Sequence, residues 1–431
     1  MAATIKEEAK EQLSSGNIQQ NKFVNFMAMF LPGIFLLGFN IGTGSVTAMA
    51  KAGATYGMSL LWTIIASCLA TFFMICIYGR YTLVTGETAL QAFRKHIHPG
   101  IGIFFIVALV TGVSGSVIGV MGIISDMCFE WSKTMIDGGI PPIYFALFFT
   151  SLVYYIFWNG KRQFFERSLA VMVAIMGVSF ILNFFIMMPP PVDILKGIIP
   201  SVPKVLKPGD SPLLVIASMV GTTVFSGLFI IRTTLVKEAG WTIKDIKKQR
   251  NDAFVSVGLM FVFSAAIMAA AAGTLHANGI GLDKASQMVE LIKPLAGSFA
   301  TSIFVIGIIA AGVSSQFPNV LMLPWLLCDY NQSERNMTLT KYRVMVFISC
   351  LLGLIVPIFK APPVFIMILS QAFNSVILPS TVACILYLGN RKDIMGEYRN
   401  NLMTNIILIA ILLFSLITTA MGIKGAWDMI F

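Results

Sequence analysis

Two short runs of glycine and hydroxyl residues lie inside long apolar stretches of the chain. One is Gly38-Phe39-Asn40-Ile41-Gly42-Thr43-Gly44-Ser45 and the other is Gly221-Thr222-Thr223-Val224-Phe225-Ser226-Gly227. Glycine costs a helix about 1 kcal/mol relative to alanine, so each run is expected to open a helix at mid-span. Opening it frees backbone N–H and C=O groups beside the side chains of Thr43, Ser45, Thr222, Thr223 and Ser226. Gln371 and Asn374, three apart, share one helical face and add two amides. The candidate binding set is therefore Gly42, Thr43, Gly44, Ser45, Thr222, Thr223, Phe225, Ser226, Gln371 and Asn374, with Phe225 as a cap. It suits a hydrogen-bonding solute, or an anion resting on half-helix N-termini. Arg232, further along the second stretch, is placed to neutralise an anion on an exit path or to snorkel to the interface. Glycine, serine and threonine also permit close helix packing. That reading fits the row Gly112, Gly115, Gly119 and Gly122 better.

Other chemistry is sparse. Glu87, Glu166, Glu238 and Asp252 fall at or beyond the ends of the apolar stretches. A dehydrated dication at membrane depth normally needs anionic oxygen or soft sulfur ligands, and proton relays use buried Asp, Glu or His. His96, His98 and His276 lie between stretches, and the second glycine run contains no methionine. Cys68, Cys76, Cys128, Cys328, Cys350 and Cys384 form no CxxC pair and read as packing residues. With no HExxH and no P-loop, neither an enzyme nor ATP drive is expected, and no cofactor is called for. Na⁺ held by carbonyls and hydroxyls would leave no charged signature, so the coupling ion stays open.

The elements that would position these residues are set by composition. Hydrophobic residues make up 57% of the 431 and charged residues 12%, against about 25% charged in soluble domains. Stretches of roughly 20 apolar residues can cross a bilayer core of about 30 Å. Eleven are legible: Phe23–Met49, Met58–Tyr78, Ile103–Ile124, Ile143–Trp158, Ser168–Met188, Leu213–Val236, Ala253–Gly273, Leu295–Leu323, Val344–Phe359, Val364–Leu388 and Leu402–Met421. Residues 1–22 read as a cytosolic tail, and 23–431 as one membrane domain. With that tail inside, 21 of the 30 Lys and Arg fall on the cytoplasmic side, which is the positive-inside bias. The C-terminus then lies opposite, and the plasma (inner) membrane is the expected location. The net charge of +10 is thus accounted for by topology, and no nucleic-acid partner is expected. The bilayer and a small solute or ion are the expected partners.

The two glycine runs occupy corresponding places if spans 1–5 (about 23–188) and 6–10 (about 213–388) are repeats, with 402–421 an extra helix. Paired interrupted helices of this kind mark transporter sites at the bilayer midplane. The run Gly53-Ala54-Thr55-Tyr56-Gly57-Met58-Ser59-Leu60-Leu61-Trp62 resembles the Nramp (natural resistance-associated macrophage protein) family of divalent metal transporters. So do Thr85-Gly86-Glu87-Thr88, Leu369-Ser370-Gln371 with Ser375 and Leu378-Pro379, and Asp393-Ile394-Met395-Gly396. The resemblance implies an all-α LeuT-type fold of 11 transmembrane helices, two inverted five-helix repeats and broken helices 1 and 6. The family's metal-binding Asp-Pro-Gly-Asn matches Gly42-Thr43-Gly44-Ser45 here, and its Met-Pro-His matches Phe225-Ser226-Gly227. Its third-span acids match Gly112 and Gly115, and a later histidine matches Arg232. The expectation is a secondary carrier with alternating access whose uncharged pocket favours a neutral or anionic solute over a metal. A divalent metal (Mn, Fe or Mg) and a non-transporting membrane receptor are the alternatives.

Overall fold

The computed structural model describes residues 42–133, 135–159, 189–205, 210–284, 287, 293–333 and 335–430. The tail 1–22, residues 23–41 of the first span, with positions 38–41 of its glycine run, and the Ser168–Met188 span lie outside the described residues. The helices are α1 (Thr43–Tyr56), α2 (Leu61–Thr85), α3 (Ala89–His96), α4 (Pro99–Ser132) and α5 (Pro142–Asn159). They continue as α6 (Pro191–Gly197), α7 (Pro212–Thr223), α8 (Ser226–Glu238), α9 (Ile246–Thr274) and α10 (Lys293–Tyr330). The last are α11 (Thr340–Leu352), α12 (Ile355–Phe359), α13 (Pro363–Asn390), α14 (Lys392–Met395) and α15 (Leu402–Ile430).

Several starts follow from local chemistry. Proline opens α4, α6, α7 and α13, where its missing N–H costs nothing and its fixed φ suits the first turn. Ser211 caps α7 by accepting from the Leu214 N–H at 3.2 Å, as N-cap serines do. Helix ends differ from the apolar stretches where polar residues continue a helix beyond the membrane core. α4 has 34 residues and α10 has 38. The stretch Val344–Phe359 is divided at Gly353 and Leu354 into α11 and α12.

The layering follows burial. The broken span Pro212–Glu238 is wholly buried across its apolar window, whereas Leu402–Met429 is 28% buried. α7 and α8 are therefore the axis of the molecule, and α15 lies at its edge. α7 packs against α13, α15 and α1. Gly221 permits the α7–α13 approach, because a Cβ there would overlap the carbonyl oxygen of Gln371. α13 carries Pro379 within it, which deprives the Ser375 carbonyl of its helical donor. Thr419 of α15 donates to that carbonyl at 2.9 Å, so the peripheral helix repairs the defect.

At the basic end, Glu87 joins α2 to α3. Its carboxylate accepts from Lys95 at 2.6 Å and lies 2.8 Å from His96 Nε2. Burial pushes the Glu87 carboxyl up, but those two hydrogen bonds outweigh it and hold the group below its usual range. At the other end Lys51 of α1 reaches Asp210 at 3.2 Å and Asp283 at 2.7 Å.

Gly221→Ala should force α7 away from α13. We expect a loss of about 1–3 kcal/mol, the usual cost of overpacking, read as a lower unfolding temperature of the purified protein in detergent. Wild-type stability in this variant would refute the tight approach.

Candidate functional site

The span-six break falls where the glycine run predicts it. α7 ends at Thr223, Val224 leaves helical geometry with φ −101° and ψ 54°, and α8 restarts at Ser226. Thr71 of α2 donates to the Thr223 carbonyl at 2.8 Å, and Ser226 Oγ accepts from Thr381 Oγ1 at 2.7 Å. In the first span the described chain begins at the second half-helix. Gly42 is the extended N-cap of α1, and no side chain caps it.

These breaks meet. Ser45 Oγ lies 3.0 Å from Thr222 Oγ1, joining α1 to α7. Around them is a cavity of about 40 Å³ lined by Gly42, Gly44, Ser45, Thr222, Phe225, Gln371 and Asn374. Val113, Ser116 and Val120 of α4 and Ser315 and Asn319 of α10 complete the wall. Thr43, Thr223 and Ser226, expected in the binding set, are outside this lining. The Thr43 side chain is fully buried, with Gly312 of α10 beside it. Thr223 donates back to the Met219 carbonyl at 2.8 Å, and Ser226 is engaged with Thr381.

The polar wall is a connected network. Ser370 donates to the Gly112 carbonyl at 2.8 Å and lies 2.9 Å from Ser116 Oγ. Gln371 Nε2 donates to Ser116 Oγ at 3.1 Å, and Asn374 Nδ2 to Gln371 Oε1 at 3.4 Å. Asn374 Oδ1 is buried with no hydrogen-bond partner among the described residues. It lies over Gly112, where a Cβ would overlap it, and Ser370 lies over Gly115. Gly112 and Gly115, which the resemblance set against third-span acids, therefore receive side chains from α13. An acid at either position would displace them.

Ser116, Ser315 and Asn319 were missed in the sequence. Ser315 and Asn319 are four apart inside an apolar run, a spacing that puts both on one helical face. Ser116 is hidden inside the α4 glycine row.

Arg232 requires correction. It is fully buried rather than snorkelling, and Nη1 lies 2.6 Å from the equally buried Asp252 of α9. Its charge is taken by Asp252, so it is not a spare cation for an anionic cargo. Asp252, placed by its sequence at the end of an apolar stretch, is buried with it. The histidines stand away from the cavity. His96 ends α3 beside Glu87, and His276 Nδ1 lies 3.2 Å from the Ala54 carbonyl. Among the described residues no cluster of three His, Cys, Asp or Glu is placed to hold a metal.

A buried helix broken at mid-span, opposed to a second half-helix across a small polar cavity, defines a multi-pass membrane transporter with discontinuous helices. The comparisons agree. The family model for natural resistance-associated macrophage protein-like proteins matches residues 33–424. A curated relative, the divalent metal cation transporter MntH of Erwinia tasmaniensis, is 21% identical over 421 residues, 95% of this chain and 98% of its own. Its namesake from Clostridium acetobutylicum is 24% identical over 384 residues, covering 85% and 84%. The Eremococcus coleocola manganese transporter superposes with a TM-score of 0.73 at 14% identity, covering 95% of this chain and 90% of that one. MhsT, solved in complex with L-phenylalanine, superposes at 0.60 and 16% identity, covering 92% and 98%. The chain belongs to the Nramp family, and its fold is the LeuT type.

Arg232→Gln should leave Asp252 buried without its counter-charge, at a cost of about 3–5 kcal/mol. The double change Arg232→Met with Asp252→Leu should restore most of it. Thermal unfolding of the three proteins checks this; a single variant as stable as wild type would refute the pairing.

Proposed function

We propose that the chain is a secondary carrier working by alternating access, and that its cargo is a divalent cation that keeps part of its water. The observation that carries this is the small, oxygen-lined cavity without a carboxylate. Its volume of about 40 Å³ compares with roughly 10–15 Å³ needed for one water and about 150 Å³ for a site that takes benzene. An ion with a few waters fits this arrangement, and an aromatic-sized solute does not. Hard cations such as Mg²⁺ hold their waters reluctantly exchanged, so neutral acceptors can bind them through the retained shell. Ser45, Ser116, Thr222, Gln371 and the unpartnered Asn374 Oδ1 are the acceptors assigned to that task. That its relatives are divalent metal and manganese transporters supports the cargo class.

This reverses the preference for a neutral or anionic solute drawn from the sequence. That preference loses the free cation it invoked, since Arg232 is paired. It remains the second reading on one observation: the N-cap of α1, Gly42, is in the lining, and a helix N-terminus favours negative charge. We further propose inverted repeats at about 23–188 and 213–388 with 402–421 outside them, and a cytoplasmic N-terminus in the plasma (inner) membrane. The bias of Lys and Arg supports that orientation.

Uptake of Mg²⁺ and Mn²⁺ into proteoliposomes tests the proposal. Saturable uptake of at least one is expected, reduced roughly tenfold by Asn374→Leu or Ser45→Val, the scale of one hydrogen bond to a charged group. No metal uptake beside saturable flux of a neutral or anionic tracer would replace it with the second reading. No flux of any kind would point to a non-transporting receptor.

A further inference from the structure

A second cavity, of about 370 Å³, opens between α2, the first turns of α9 and the first turns of α15. It shares no lining residue with the cargo cavity. Phe73, Ile77, Ile246 and Ile407 form apolar walls, and Arg80, Lys247 and Arg250 supply three positive charges. No carboxylate lines it.

The charges are arranged to meet an anion from the membrane side. Lys247 and Arg250 are exposed and stand three apart on α9, so they share a face. Arg80 is half-buried on α2; one of its terminal nitrogens donates to Asn400 Oδ1, while its Nε is buried with no acceptor. Gln249 is committed to the Ile75 carbonyl at 2.9 Å and does not compete. Beside the cavity on α15, Met403 and Ile406 are 65% and 53% exposed, and Phe254 on α9 is 69% exposed. Side chains of that kind face acyl chains.

We infer that this cavity binds an anionic phospholipid, with its phosphate held by Arg80, Lys247 and Arg250 and its first methylenes against Phe73, Ile77 and Ile407. A basic pocket between membrane helices at the level of the headgroups has the charge and depth for such a lipid. The apolar walls set it apart from a site for a soluble anion, which would leave them wet.

Native mass spectrometry of the full purified chain, released from micelles holding equal phosphatidylglycerol and phosphatidylcholine, tests this. Retention of phosphatidylglycerol over phosphatidylcholine is expected. Lys247→Gln with Arg250→Gln should cut that preference roughly thirtyfold, from about fivefold per basic residue. Both side chains are exposed, so this variant avoids the folding risk of changing Arg80. Three results would overturn the inference: no preference in the wild type, an unchanged preference in the double variant, or inorganic phosphate alone reproducing the thermal stabilisation given by phosphatidylglycerol.

Discussion

Inside a bilayer core an unpaired backbone N–H or C=O has no water to turn to, so a helix can break there only where protein surrounds it. That constraint organises this molecule. The broken span Pro212–Glu238 is the most buried apolar segment among the described candidate spans, and its neighbours supply the missing partners. Thr71 satisfies the last carbonyl of α7, and Thr381 meets the first side chain of α8. Thr419 repairs the carbonyl released by Pro379 in the helix packed against the break. Once these groups are paired, the remaining polar surface faces inward and lines the small cavity between α1, α4, α7, α10 and α13.

The cavity wall is built of hydroxyls and amides, with no carboxylate among its lining residues. Gly112 and Gly115 remove side chains from α4, and Asn374 and Ser370 of α13 enter the space. The result is a network of hydroxyls and amides running from Ser116 through Gln371 to Asn374. The charge that remains near the axis is internal, in the Arg232–Asp252 pair between α8 and α9. It lies outside the cavity lining and is neutralised there. A buried pair of this kind contributes little net stability but is costly to break, so it holds α8 to α9 without presenting charge to the cavity.

Much of this was legible in the sequence because its signals are local. Apolar length gave the described spans, glycine and hydroxyl runs gave the break at Val224, and the i, i+3 spacing of Gln371 and Asn374 gave a shared face. What stayed hidden depended on rotation about a helix axis. Thr43 and Ser226 belong to the right runs but face neighbouring helices, and Thr223 bonds back along its own helix, whereas Ser315 and Asn319 lie on α10, far away in the chain. Asp252 falls just outside an apolar stretch, and hydropathy cannot see that it is buried against Arg232. The split of α11 from α12 was likewise invisible in a continuous apolar stretch.

The most direct test is a high-resolution structure of the purified protein soaked with Mn²⁺, using its anomalous signal. A peak is expected between Gly42–Ser45 and Thr222–Phe225, within reach of Asn374 Oδ1 directly or through one water. An unbroken helix through Val224, or a peak elsewhere with that cavity sealed, would contradict it.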